Sequence, residues 1–599
     1  MRYFTVYHKL WYTTIIMVYY IHMHGLMHKH MLRAATILLI YVLGFVAVAF
    51  GMALTTFHGG IGAMYLAVGI GALLTRRGTQ WIRALRPLWP FALVATVFAI
   101  VALHYATPDI FTGRDQGSLS TAAILLAEHG TLRVHTPESD AFFSFYGTGK
   151  ALNFPGFYYT ADGALTTQFP LPYIAVLAVF YWIFGIYGLL IANGVLFVLF
   201  ALSVVLAAML LAPTSVRMRV GAAALFLVLT QFSYTYLLRH TLSENLAQFL
   251  IAAVCALFLI ALRVPSLRTI AYAGAVAGGA LLTFARIEGI ALFIMMLGCA
   301  IALPGGLSRV VSARSVVYVA LPFLAVITLF GAVFAQTTDF YRSVAVALIG
   351  TGGSGGGGLL NDMVARWTAY YSYGIAPVLI VAAVMAFLWF RKKAWTRLFP
   401  ILMILPLGIY LIDPHISSDA PWMLRRVTFG LLTVGCIIAA QAAARRQTLA
   451  IILILGALAL PAHIALFPLK EQDGLLSQTQ RIADMLAPGE LLLVDRESSG
   501  DPYALLSGAL RTYFHRHSAY IFNPEDLRRV PLDRFDRVYL LAPPEAAARY
   551  AADAQLTPRA HLRITTTVIR PPATPRLYDF GTFHRITTDN TIYRVTLTP

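Results

Sequence analysis

Charge is what this sequence lacks. Of its 599 residues only 12% are Asp, Glu, Lys or Arg, about half the fraction of a soluble domain, which is on the order of 25%. With 59% hydrophobic residues and a mean hydropathy of +0.72, the chain has too little polar surface for an ordinary water-soluble enzyme. Acidic residues are scarcer still, 27 against 45 basic ones, for a formal charge of +18. Cysteine is nearly absent. Cys255, Cys299 and Cys436 all fall inside apolar stretches, which excludes a disulfide framework and metal-ligand spacing. The one glycine-rich run, "GTGGSGGGG", lacks the Lys-Ser/Thr ending of a phosphate loop and reads as a flexible loop.

What remains is a series of apolar stretches, most of roughly 17–25 residues and so long enough to cross a bilayer as a helix. They fall at Leu32–Phe57, Gly59–Thr75, Leu88–Tyr105, Ile186–Ala212, Val220–Leu238, Asn245–Leu262, Thr269–Phe284, Ile287–Leu303, Ser315–Ala335, Ile375–Phe390, Leu398–Ile412, Trp422–Ala444 and Thr448–Phe467. The sequence therefore predicts a polytopic α-helical membrane protein of about 13 spans. Leu171–Phe184 is too short to cross and reads as a juxtamembrane or re-entrant piece. Residues 1–31, with His22, His24, His28 and His30, read as an N-terminal extension without a signal-cleavage site, a metal-binding tail being the alternative. Residues 32–468 form the transmembrane domain, including a polar loop at 106–170. Beyond Leu469, "ELLLVDR" and "FDRVYLLAPPE" are of strand length, and a Thr-rich stretch alternates polar and apolar residues to the end. Residues 469–599 thus predict a small α/β soluble domain without a catalytic motif of its own.

The positive charge lies in short loops such as Arg76/Arg77, Arg217/Arg219, Arg391/Lys392/Lys393 and Arg445/Arg446. That is the positive-inside pattern of a membrane protein, not a nucleic-acid footprint. Placing those loops in the cytoplasm sends the unusual polar residues to the opposite face. Asp115 lies in "TGRDQGS" beside Arg114, where a span ends. Arg239, His240 and Glu244 lie in "LLRHTLSENLAQ". Arg286 and Glu288 lie in "TFARIEG", and His415, Arg425 and Arg426 in "DPHISSDAPWMLRRVTFG". Each has a bland reading. Asp115 is a good helix cap, Ser243 or Thr241 can cap the helix after them, Arg286 and Glu288 can pair with each other, and a single arginine can snorkel. Several such sites on one face of a charge-poor chain point instead to a buried polar cavity. There Asp115 would serve as a general base or a metal ligand, and one of the adjacent arginines would bind a phosphate. A single site requires Asp115 to lie within about 15 Å of Arg286, Arg425 or Arg426.

In that order, "GRDQG…STAAILLAEHGTL", "QFPLPYIAVLAVFYWIFG", "TLSENLAQFL", "LLTFARIEG" and the late Trp-Arg-Arg turn resemble the GT-C superfamily of membrane glycosyltransferases. The bacterial protein O-mannosyltransferases and aminoarabinose transferases are the nearest in pattern. The resemblance covers roughly Leu88 to Ala444. It implies a GT-C-like fold in the bacterial inner membrane, with membrane lipids around the spans, while the arginine loops put the C-terminal domain on the non-cytoplasmic side. It also implies a polyprenyl-phosphate sugar donor and inverting transfer on the outer face. Asp115 would be the base and Arg425, Arg426 and Arg286 the phosphate ligands. Arg114, Arg239, His240, Glu244, Glu288 and His415 would support them, with Gly113 and Gly117 letting the acceptor approach. Gln116 stands where related proteins often carry a second acid, so the sequence leaves a divalent metal open and favours metal-independent base catalysis. A flippase of lipid-linked sugars is the rival reading, although the chain shows no half-to-half repeat. A scaffold whose soluble domain binds a partner is the third.

Overall fold

The computed structural model describes residues 29–302, 325, 359–414, 416–417, 419–572 and 576–597. The expected span Ser315–Ala335 (but for one residue), the run Gly350–Gly358, His22, His24, His28 and His415 lie outside them. The helices are α1 (Lys29–Leu54), α2 (Gly59–Leu74), α3 (Arg76–Ala84), α4 (Trp89–His104), α5 (Asp115–His129), α6 (Pro137–Tyr146), α7 (Leu171–Phe184) and α8 (Gly188–Leu211). There follow α9 (Arg217–Thr230), α10 (Phe232–Arg239), α11 (Glu244–Arg263), α12 (Arg268–Ala285), α13 (Gly289–Ala302), α14 (Leu359–Ser372), α15 (Ile375–Arg391) and α16 (Trp395–Ile404). The last membrane-type helices are α17 (Trp422–Ala444) and α18 (Leu449–Leu466).

Among the described residues 7 helical segments are long and apolar enough to cross a membrane, or up to 10 if each bent pair is one span. Two more of the expected stretches form shorter apolar helices, Gly289–Ala302 and Trp395–Leu411, and one lies outside the described residues, so the expected count of about thirteen is not confirmed. The backbone bends inside three of the apolar runs. Helices α2 and α3 meet at 84°, the segments 214–230 and 232–239 at 66°, and the segments 363–372 and 375–391 at 90°. Each break has a local cause. Thr75 is extended and its hydroxyl accepts from Gly78 N to start α3. Gln231 leaves the helix at ψ 111. Gly374 takes the left-handed conformation, φ 76, that a Cβ disfavours. The short piece α7 joins α8 through one tight turn, the two together forming one apolar helical segment, Leu171–Leu211. Gly185 at φ 60 ends it, and the Tyr173 hydroxyl donates to Asn193 Oδ1 at 2.6 Å, tying it back onto α8.

Helix α11 is buried along almost its whole length, as a helix apolar on every side should be at the centre of a bundle. Its first residue is Glu244, fully buried at the positive end of the helix dipole, where a carboxylate is favoured. The outer helices instead present Val68, Leu93, Ile100, Val384 and Ile464 outward, as a lipid-facing surface requires.

The C-terminal part adds α19 (Leu475–Asp484), α20 (Leu506–Thr512) and strands that we number after the short hairpin strands β1 (Gly149–Lys150), β2 (Phe157–Tyr159) and β3 (Leu165–Thr167) of the 106–170 segment. These are β4 (Glu490–Val494), β5 (Ser518–Tyr520), β6 (Arg537–Ala542), β7 (Ala554–Arg570) and β8 (Thr582–Leu597). They form one sheet in the order β5-β4-β6-β8-β7, parallel across β5, β4 and β6 and antiparallel from β6 to β7. Past the charged first residues Glu490 and Arg537, β4 and β6 are buried and apolar, as parallel strands covered on both faces demand. This domain docks on the start of α5. Thr112 and Leu505 exchange backbone hydrogen bonds, 3.2 Å from Thr112 N and 2.7 Å from Leu505 N. Asn153 Nδ2 donates to Tyr520 O at 2.6 Å.

Candidate active site

Next to the dock, the start of α5, the turn before α11, the α12–α13 turn and the start of α17 come together. Asp115 Oδ2 lies 2.7 Å from Arg425 Nη2, well inside the limit a single site sets. Arg425 Nη1 is 3.2 Å from Glu244 Oε1, which also accepts from Arg286 Nη1 at 2.9 Å. Arg286 Nη2 reaches Glu288 Oε1 at 2.8 Å, and that oxygen accepts from Arg426 Nη1 at 2.9 Å. Three arginines and three carboxylates thus alternate in one ladder. Both adjacent arginines belong to it, Arg425 through Glu244 and Arg426 through Glu288, the two carboxylates that flank Arg286. Glu288 also accepts from the Tyr410 hydroxyl.

Burial grades along the ladder. Glu244 is fully buried and the Arg425 side chain is 4% exposed, but Asp115 is 33% exposed. The ladder therefore ends in an accessible carboxylate backed by a buried cation. Charges this dry persist only when paired. Burial opposes the charge on Arg286, yet Glu244 and Glu288 outweigh it and hold the guanidinium protonated beyond its usual range. Directly after the two arginines the helix widens into a π-turn at Thr428–Leu432, an irregularity frequent at functional sites. Among the described residues, Arg425 Nε and Arg426 Nε are buried without hydrogen-bond partners.

Trp422 joins the ladder to a second cluster. Arg425 stacks over its ring at 3.9 Å and Arg114 at 4.7 Å. Arg114 also lies 3.9 Å over Tyr503 and pairs with Asp419 at 2.5 Å. Its partner is therefore not Asp115, because the Trp422 and Tyr503 rings draw the guanidinium to the other side. A cavity of about 270 Å³ opens here, walled by Arg114, Gln116, Asp419 and Trp422 from one side and Glu471, Asp501 and Tyr503 from the other. The C-terminal sheet domain, which has no motif to announce it, supplies half of this wall.

Several expected roles change. Asp115 is the first residue of α5; Arg114 holds the cap position without a side-chain cap bond, so Asp115 does not cap the helix. Ser243 is the cap of α11 but makes no capping bond, and its hydroxyl accepts from Arg286 at 3.1 Å. The Thr241 hydroxyl donates to Gln116 O at 2.9 Å. A Cβ on Gly117 would sit 1.7 Å from Phe111 O and one on Gly113 2.9 Å from Tyr503 O, so both glycines admit the protein's own backbone, not an acceptor. Arg239 is away from the ladder. It donates to the carbonyls of Ala102 at 3.1 Å, Leu469 at 3.2 Å and Phe467 at 2.5 Å, closing the open C-terminal ends of α4 and α18. Among the described residues no three His, Cys, Asp or Glu gather as a metal site, and the charged neighbour of Asp115 is an arginine.

His240 also serves elsewhere. Its Nδ1 lies 3.1 Å from Asp109 Oδ2 and its Nε2 3.5 Å from Glu471 Oε2, bridging the 106–170 segment to the soluble domain. Burial opposes its protonation, but the two carboxylates prevail and push it up to about 10. The unfolded value is about 6.5. A raised folded value means stability fully present below pH ~6.5 and lost as pH rises toward 10. The melting temperature of the wild type should therefore exceed that of His240→Gln most at pH 6, with the gap closing by pH 10. Thermal unfolding of both proteins across that range checks this, and a gap that widens with pH would contradict it.

No family model and no curated protein matches the chain. Its structure is similar to that of ArnT from Cupriavidus metallidurans. Against the apo crystal structure the identity is 12% and the TM-score 0.46, covering 85% of this chain and 97% of that one. Against ArnT bound to undecaprenyl phosphate the figures are 13% and 0.47, with the same coverage. It is also similar to the Archaeoglobus fulgidus oligosaccharyltransferase in complex with Zn and sulfate, at 12% identity and TM-score 0.45, over 82% of this chain and 72% of that one.

Proposed function

We propose that the chain is a membrane glycosyltransferase that moves a sugar from a polyprenyl-phosphate donor to an acceptor hydroxyl, with inversion, on the outer face of a bacterial inner membrane. The observation that carries this reading is the Asp115–Arg425 pair, an accessible carboxylate 2.7 Å from a buried guanidinium. One group suits a proton, the other a leaving phosphate. Asp115 accepts the acceptor's hydroxyl proton as that oxygen bonds to the sugar's anomeric carbon. The anomeric carbon–phosphate oxygen bond breaks, its electron pair leaving on the lipid phosphate. Arg425 and Arg426, each with a buried Nε–H to spare, stabilise that charge with Arg286 behind them.

The ladder's balance implies an order of events. Three cations already face three carboxylates, so an arriving phosphate competes with Asp115 for Arg425. The donor thereby releases the base, and the acceptor follows. Undecaprenyl phosphate, the lipid bound in one of the similar ArnT structures, is the natural probe. The bent helix pairs favour flipping of a lipid-linked sugar as the second reading. Proteoliposomes loaded with a radiolabelled polyprenyl-phosphate sugar separate the two. Label moved onto an acceptor with release of lipid phosphate is the expected result. Intact labelled lipid crossing the bilayer without transfer would replace this reading with the flippase.

A further inference from the structure

Beside the ladder, side chains from three parts of the chain stack on one another. Tyr503 lies in the loop that enters α20, Arg114 at the start of α5, and Trp422 and Arg425 at the start of α17. The Arg114 guanidinium is 3.9 Å over the Tyr503 ring and 4.7 Å over the Trp422 ring, and Arg425 is 3.9 Å over Trp422. Rings and cations thus alternate in the order Tyr503, Arg114, Trp422, Arg425, each contact attractive through the quadrupole of the ring. Asp419, just before Trp422, pairs with Arg114 at 2.5 Å while its carbonyl accepts from Met423 N at 2.8 Å. The turn that carries Trp422 therefore also holds Arg114. The Tyr503 end of the stack is tied down. Tyr503 N donates to Asp501 Oδ1 at 3.0 Å, and Leu505 and Thr112 exchange both backbone bonds. A Cβ on Gly113 would meet Tyr503 O at 2.9 Å, so the two backbones touch. Docking of the C-terminal sheet domain is what puts the Tyr503 ring over Arg114.

Arg114 directly precedes Asp115, and Trp422 stands one turn before Arg425. The stack thus fastens together the two helix starts that carry the Asp115–Arg425 pair. That matters when the pair opens. A phosphate that takes Arg425 from Asp115 removes the ionic tie between these starts, and the stack and the Arg114–Asp419 pair then join them. We propose that Tyr503 is a positioning residue that, through Arg114 and Trp422, holds Arg425 in place beside Asp115, so that the docked C-terminal domain sets the affinity for the lipid phosphate. The effect on lipid phosphate rests on the transferase reading; the placement of Arg425 does not.

The test compares Tyr503→Ala and Tyr503→Phe with wild type, each as the full chain in nanodiscs. Tyr503 is 43% exposed, so truncating it should leave the fold intact. Fluorotryptophan labelling gives a fluorine NMR resonance for Trp422, assigned by its loss in Trp422→Phe. Without any lipid phosphate, that resonance should move or broaden in Tyr503→Ala and stay in place in Tyr503→Phe, which keeps the ring. Undecaprenyl phosphate should bind Tyr503→Ala about two- to fivefold more weakly, the effect of one partly exposed cation–π contact, and should bind Tyr503→Phe as it binds wild type. Linkage is reciprocal, so undecaprenyl phosphate should slow amide exchange across 501–505 in wild type and less in Tyr503→Ala. A Trp422 resonance untouched by Tyr503→Ala, or equal lipid-phosphate affinity in that variant and wild type, would overturn the proposal. Equal losses in Tyr503→Ala and Tyr503→Phe would do the same, because Phe keeps the face that carries the stack. The Trp422 shift in a protein that binds no undecaprenyl phosphate keeps the placement of Arg425 and rejects the transferase reading. Lipid-phosphate binding and sugar transfer unaltered in Tyr503→Ala do the reverse.

Discussion

Asp115→Asn should reduce sugar transfer by about a hundred- to ten-thousandfold, the range a positioned general base contributes. The substitution keeps the shape and the hydrogen bond to Arg425 but removes the basic oxygen. Asp115 makes no capping bond to α5, so the helix should survive and the melting temperature should change little. Initial rates with saturating labelled donor, alongside thermal unfolding, separate the two effects. A loss of rate with a large loss of stability would make Asp115 a structural residue. Unchanged transfer would move the base to another carboxylate, with Asp419, one-fifth exposed, the first to try.

Arg425→Ala should be the most damaging single change to the fold of the site. It strips the counter-charge from Asp115 and part of that from Glu244, which is fully buried. Removing one partner of a buried ion pair costs about 3–5 kcal/mol. The lipid-phosphate affinity should fall as well. Lysine should not rescue it, because one ammonium cannot span Asp115 and Glu244 while stacking on Trp422. Arg426→Ala should cost less, about 1.5–3 kcal/mol for its charged hydrogen bond, because Glu288 keeps Arg286. Chemical unfolding of the three variants in detergent gives the ranking. Equal losses for Arg425→Ala and Arg426→Ala would contradict the ladder's order.

The parts of this architecture legible in the sequence are those written locally. Scarce charge with long apolar runs gives the membrane helices, and the alternation after Leu469 gives the strands. Asp115, Glu244, Arg286, Glu288, Arg425 and Arg426 stand out because a charge at the end of an apolar helix is unusual. What spacing does not encode is who meets whom. Arg114 stands beside Asp115 in the sequence, yet it bonds Asp419, 305 positions away. Arg239 reads as a site residue, but its donors go to backbone carbonyls, and a carbonyl leaves no mark in a sequence. Glu471, Asp501 and Tyr503 escape a sequence reading because the soluble domain becomes part of the site only through the Thr112–Leu505 dock. A polar Asp-Pro-Tyr in a loop, by itself, is an ordinary turn. The helix bends escape hydropathy for a related reason, since one residue such as Gln231 can turn the backbone within a largely apolar run.

The central claim is that Arg425 is shared between Asp115 and the donor phosphate, and one binding measurement tests it directly. Undecaprenyl phosphate is titrated into wild type and Asp115→Asn in nanodiscs, and the dissociation constants are compared. If the carboxylate competes for Arg425, the variant, with that competitor neutralised, binds the lipid phosphate several-fold tighter while transferring sugar at least about a hundredfold more slowly; a factor of ten would correspond to about 1.4 kcal/mol. Equal or weaker binding by Asp115→Asn would mean that the phosphate does not engage Arg425, and the account of the ladder would fail.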